Sequence, residues 1–233
     1  EYGPLQFGWA WMQDAISVPA GSFFRSDLAH KSSPNWFLGV HFYDLIRFLT
    51  DLKPREVRAI GYRHELRKRQ IPTFDAVKAD FLFEGGAAVT VFTSWNLPEK
   101  APYITRQGIY LQFARGDLEI DSSRRGFTST SSKEHRFINP MFLRETPSGW
   151  AGYGVESIGE ALKVIWRARK GDRKAIIRQL KEGRLPEAAT VKDGIYATLM
   201  AEGVDRSLAE GKETEDFVIG AKVDLTTTPA RFL

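Results

Sequence analysis

A helix that is apolar on nearly every side dictates most of what this chain can become, and it lies at residues 33–49. Ser33 is a natural N-cap, and Pro34 falls at the first helical position, where its missing N–H costs nothing. Leu38, Phe42, Leu45 and Leu49 repeat at helical spacing on one face; Phe37, His41, Asp44 and Phe48 repeat on another. Inside this apolar segment stand His41 and Asp44, one turn apart, and buried polar groups cost free energy unless something holds them. Two readings of the pair follow: a core histidine pinned by Asp44, or a proton-transfer pair at a site.

A chain of 233 residues with 42% hydrophobic content and 16 Phe can bury a substantial core, and it reads as one domain over residues 1–233. The absence of cysteine excludes a disulfide framework and a thiolate metal site, and fits a reducing, cytoplasmic setting. No apolar run approaches a membrane span, so no membrane partner is expected. The net charge of +4 is spread along the chain. Its densest basic run, Arg63-His64-Glu65-Leu66-Arg67-Lys68-Arg69, reads as a solvated loop and not as a nucleic-acid surface.

Strand patterns dominate the first half. Residues 5–12, 56–63, 75–84, 87–95, 109–113 and 118–120 are strand-like, and Gly85-Gly86 marks a two-residue hairpin. From Gly154 the period turns helical: Ile158, Leu162, Ile165 and Arg169 share a face up to Gly171, a shorter helix covers residues 173–182, and Thr190 to Asp193 resembles a capping box. The Ser/Thr-rich run 122–132 reads as an exposed loop. Strands followed by helices predict an α+β fold, with a largely antiparallel, open-faced sheet of six or more strands and helices on one face. Val91, Trp95 and Leu111 are expected to belong to an uncovered face suited to homo-oligomerisation.

Common cofactor and catalytic motifs are missing. There is no G-x-G-x-x-G after a strand, no phosphate loop and no Gly-x-Ser-x-Gly elbow. His30, His41, His64 and His135 are scattered, without the paired spacing of a helical metal site.

The order Gly3-Pro4-Leu5 entering a strand, then Lys31-Ser32-Ser33-Pro34-Asn35-Trp36-Phe37-Leu38-Gly39-Val40-His41-Phe42-Tyr43-Asp44, resembles the glucose-fructose oxidoreductase, inositol dehydrogenase and MocA family. Gln107-Gly108, Arg115-Gly116-Asp117-Leu118 and a late helix ending Asp205-Arg206-Ser207-Leu208-Ala209-Glu210-Gly211 extend the likeness. The resemblance implies the C-terminal substrate-binding and oligomerisation domain of a two-domain enzyme, similar to the C-terminal domain of glyceraldehyde-3-phosphate dehydrogenase-like oxidoreductases. NAD or NADP would be bound mainly by an N-terminal Rossmann domain that this chain does not contain, and the abrupt apolar start of the chain agrees with such a domain upstream.

By the same resemblance His41 moves the hydroxyl proton of a sugar or polyol, with Asp44 as its orienting partner. Lys31, Arg25, Asn35 and Trp36 are the expected substrate contacts nearby, and Tyr153 and Glu156 those at the mouth of the next helix. One departure stands out: many family members carry Asp four residues before the histidine, where this chain has Phe37. That substitution sustains the competing expectation, a non-catalytic relative that binds a ligand or a partner chain on the same fold.

Overall fold

The computed structural model describes residues 2–21, 28–121, 128–133, 135–137, 143–147, 149–152, 154–183, 185 and 188–226. The chain, read above as one domain, divides into two compact units, Glu1–Arg124 with Tyr196–Leu233, and Arg125–Ile195. In the first half come β1 (Leu5–Ala15), α1 (Ser17–Ala20), a 3-10 turn (Leu28–Lys31), a π-helical turn (Asn35–Gly39), α2 (Val40–Thr50), β2 (Pro54–Tyr62) and α3 (Glu65–Lys68). β3 (Ala76–Phe83), β4 (Ala88–Leu97), β5 (Thr105–Phe113) and β6 (Gly116–Asp121) follow. The chain continues with β7 (Thr128–Thr130), β8 (His135–Phe137), β9 (Leu143–Thr146), β10 (Gly149–Gly152), α4 (Val155–Arg167), a π-helical turn (Ala168–Asp172), α5 (Arg173–Glu182) and α6 (Val191–Ala209). It closes with β11 (Lys212–Glu213), β12 (Phe217–Ile219) and β13 (Val223–Asp224).

Nine strands among the described residues form one sheet in the order β11-β12-β2-β3-β4-β1-β5-β6, with β13 also paired to β2. The sheet is mixed. β1 lies between β4 and β5, antiparallel to β5 but parallel to β4, with Ala10 opposite both Val91 and Ile109. A simple meander does not contain that insertion, which places the first strand of the chain beside the fourth. The Gly85-Gly86 turn forms as expected, with φ of 79° and 85° that glycine adopts without a Cβ penalty.

Period-two alternation sorts the strands into two faces. Ala59, Ala79, Val91, Ala10 and Ile109 run in register across the sheet and pack in one core with Phe42, Tyr43 and Ile46 of α2 and Met200, Ala201 and Val204 of α6. Val91, Trp95 and Leu111, assigned above to the open face, are therefore buried, at 1%, 0% and 0% exposure. The open face instead carries Phe7, Trp9 and Phe92, each exposed, with Trp9 stacked on Tyr110 at 4.4 Å between ring centroids.

In the second unit, β7 pairs with β8 and β9 with β10, so part of the Ser/Thr-rich run forms a short strand where a loop is expected. Helices α4 and α5 form as the periodicity predicts, and Ile158, Leu162 and Ile165 make an exposed apolar stripe on α4. At the α6 start, the Thr190 N–H donates to Asp193 Oδ2 at 2.7 Å, as a capping box requires.

The basic run 63–69 is clasped by an acidic hairpin. Arg63 pairs with Glu213, His64 Nδ1 lies 3.5 Å from Asp216 and Arg67 3.5 Å from Glu215. Asp75, buried, accepts the backbone N–H groups of His64, Glu65 and Leu66, which holds α3 against the sheet. No helix among the described residues is long and apolar enough to cross a membrane.

Asp14, at the end of β1, is 3% exposed and accepts the Thr105 hydroxyl at 2.6 Å. Burial raises its pKa, and the Thr105 bond only partly offsets this. The group therefore stabilises the fold at acid pH and loses that contribution as pH rises through its raised folded value. Asp14→Asn is expected to raise the urea midpoint at neutral pH and to flatten its fall between pH 4 and 7; a midpoint lowered equally at both pH values contradicts this.

Candidate active site

The helix that carries His41 begins as the sequence requires. Ser33 O accepts the Phe37 N–H at 2.9 Å and Ser33 Oγ lies 3.4 Å from the Trp36 N–H, while Pro34 needs no partner. The segment does not stay α-helical: residues Asn35–Gly39 form a π-helical turn before α2. One added residue per turn offsets what precedes it by about 100°. Phe37 thus leaves the face of His41 and packs half-buried on Trp95, 5.8 Å between ring centroids.

A polar network fixes that turn. Asn35 is fully buried, and its Nδ2 donates to Ala201 O and to Asp205 Oδ1, both at 2.9 Å. The Tyr43 hydroxyl donates to Asn35 Oδ1 at 2.7 Å, and Trp36 Nε1 donates to Asp205 Oδ2 at 2.5 Å. Burial, then the charge of Asp205, pushes the Tyr43 phenol far up, so it remains a donor. Asn35, expected at the substrate, has its amide hydrogens and its carbonyl committed inside the fold.

His41 is not a core histidine. It is exposed, as is Phe48, while Asp44 one turn on is half-buried. Neighbouring protein crowds the imidazole enough that desolvation lowers its pKa, and the negative charge of Asp44 opposes part of that shift. The neutral imidazole therefore prevails at neutral pH, able to accept a proton from a hydroxyl.

Lys31 and Trp36 line a cleft of about 440 Å³ together with Ser32, Ser33, Arg63 and Asp205; His41 and Asp44 are not among its lining residues. Glu156 belongs to the second unit, where it is exposed and 3.8 Å from Arg144. Arg25 and Tyr153 lie outside the described residues. Sequence reasoning missed the tasks of Tyr43 and Asp205. Each is a polar group on an otherwise buried helical stripe, and Asp205 follows Ala201 by one turn, which is the signal that could have found it.

The model of the GFO/IDH/MocA C-terminal domain matches residues 4–119. This stretch of the chain belongs to the GFO/IDH/MocA family. Similar folds occur in myo-inositol 2-dehydrogenase from Lactobacillus plantarum, with 18% identity and a TM-score of 0.55 over 94% of this chain and 58% of that one. Scyllo-inositol dehydrogenase from Lactobacillus casei, solved with NAD(H) and scyllo-inositol, has 14% identity and a TM-score of 0.55 over 97% and 58%. Myo-inositol dehydrogenase from Corynebacterium glutamicum has 16% identity and a TM-score of 0.54 over 96% and 57%. The chain thus spans less than three fifths of the length of these enzymes. A comparison with curated protein sequences gave no match.

Removing the opposing charge with Asp44→Asn is expected to lower the His41 pKa further, as read by NMR titration of the imidazole. Because that pKa is depressed on folding, its stabilisation is present above about pH 6.5 and is lost as pH falls through the folded value. A titration midpoint that rises in Asp44→Asn would contradict this electrostatic account.

Proposed function

We propose that this chain is the substrate-binding and proton-transfer domain of an NAD(P)-dependent sugar or polyol oxidoreductase, with His41 as the proton acceptor and donor and Asp44 as its electrostatic partner. The observation that carries this reading is the exposure of His41 on the helix that buries Phe42, Tyr43 and Ile46 in the core, inside the segment that belongs to the GFO/IDH/MocA family. An imidazole retained for packing would be sealed and paired. This one is placed where a hydroxyl can reach it, and it is neutral at working pH, the state a general base needs.

NAD(P) does not fit this chain by itself. β10, Gly152-Tyr153-Gly154 and α4 do follow one another, but Ser157 stands where the fingerprint needs its third glycine, and β10 belongs to a two-stranded antiparallel sheet and not to a parallel one. In this proposal an N-terminal dinucleotide domain holds the cofactor, which takes or gives hydride. The residues of this chain hold the polyol and move its hydroxyl proton. Lys31 and Trp36 are kept as candidate contacts on the cleft they line, and a cytoplasmic setting goes with the cofactor. The second reading, a non-catalytic binding relative, draws on Phe37, whose ring is spent on Trp95 where many relatives have a carboxylate.

In the two-domain protein, His41→Ala is expected to lower turnover about a hundredfold, the scale for losing a positioned acid/base, with the fold kept because the side chain is exposed. Undiminished turnover favours the binding relative.

Homo-oligomerisation through the open sheet face belongs to the same proposal. Phe7, Trp9 and Phe92 leave a contiguous apolar surface there, of the kind that marks association. Trp9→Glu is expected to shift a light-scattering mass toward the monomer, and a wild type monomeric in concentrated solution overturns this part.

A further inference from the structure

The π-helical turn Asn35–Gly39 is an expensive way to begin a helix, since i→i+5 turns are rare and arise where something specific sustains them. Here the sustaining contacts are visible. The Tyr43 to Asn35 bond spans eight residues, so it closes across the whole turn. Gly39 makes room for it: a Cβ there would sit 2.7 Å from the Tyr43 hydroxyl. From outside the segment, the Asp205 carboxylate on α6 receives Asn35 on one oxygen and Trp36 on the other, which ties the turn to the helix that covers the sheet.

His41 stands on the exposed side of α2, so its direction follows from the backbone beneath it, which also decides which neighbours crowd the ring. If the turn relaxed to a regular α-helix, the residues before and after it would rotate by about 100° relative to each other. Asn35 could then meet α6, or His41 could face outward, but not both. We propose that Asn35, Tyr43, Trp36 and Asp205 form a positioning device that locks the π-helical turn and thereby sets the orientation of His41. The catalytic consequence rests on the acid/base reading of His41; the orientation itself does not.

The test is an NMR titration of the four histidines in the 233-residue chain, as wild type, Tyr43→Phe, Trp36→Phe and Ile109→Val. The last is a core change on β5, apart from the turn. Loosening the turn hydrates the imidazole, so the His41 midpoint is expected to rise by about 0.5 pH in Tyr43→Phe and Trp36→Phe, and to stay in place in Ile109→Val. An unmoved His41 in both network variants, or an equal shift in Ile109→Val, overturns the proposal. Trp36→Phe keeps the aromatic volume and removes a single N–H, so it carries the test should Tyr43→Phe fail to fold.

In the two-domain enzyme, Tyr43→Phe is expected to lower kcat about tenfold with KM unchanged, within the range of general acid–base contributions. A loss confined to KM counts against positioning. Undiminished turnover in His41→Ala overturns the acid/base reading alone, because the NMR shift reports where the ring stands and not what it does.

Discussion

Everything that places His41 depends on one buried carboxamide. Asn35 has no exposure, and a buried amide without partners costs several kcal/mol, yet here each of its polar atoms is satisfied. The partners come from three places: the following helix through Tyr43, the α6 backbone through Ala201, and the α6 side chain Asp205. Removing any one leaves a buried donor or acceptor unpaired, at about 1–3 kcal/mol each. The network therefore permits one arrangement of the turn against α6, and the apolar core beneath it, Phe42, Tyr43 and Ile46 against the sheet, is registered by that same arrangement.

The sheet offers a firm base for this because its covered face is close-packed against α2 and α6. Gly8 lies where a Cβ would meet the Tyr110 carbonyl at 2.5 Å and Leu111 at 2.7 Å, and a Cβ added to Gly108 would meet the Trp11 ring at 2.2 Å. These glycines let β1 settle between β4 and β5 with bulky aromatics on the open face and aliphatics on the covered one. α2 and the Tyr196–Ala209 part of α6 then share a single apolar platform, so the Asp205 anchor and the His41 helix stand on the same strands.

Much of the local structure was legible because it rests on local chemistry. The Ser33-Pro34 start, the Gly85-Gly86 turn, the alternation along residues 76–83 and the Thr190–Asp193 cap each depend on neighbors in sequence. What was not legible depends on distant partners. The parallel β1–β4 pair joins segments far apart in the chain, Ala10 with Val91. The acidic hairpin that neutralises the basic run meets Arg63 from 150 residues away. Asn35 looked like a ligand contact because its partner Asp205 lies 170 residues on. The face assigned to Phe37 failed for a different reason, since a 3.6-residue period cannot register a π-helical turn.

That turn also bears on the missing carboxylate. In a regular α-helix an aspartate one turn before a histidine would stand beside the imidazole and raise its pKa; here the π-helical turn aims residue 37 at Trp95 instead. With Phe37 there, turned away onto Trp95, only Asp44 opposes desolvation, and desolvation is the larger effect. The imidazole is left deprotonated at neutral pH. In the proposed reaction this favors proton acceptance from a hydroxyl, the oxidative direction, over proton donation to a carbonyl. Phe37 thus need not abolish chemistry at His41; in the proposed reaction the orientation of His41 rests on the network behind the turn.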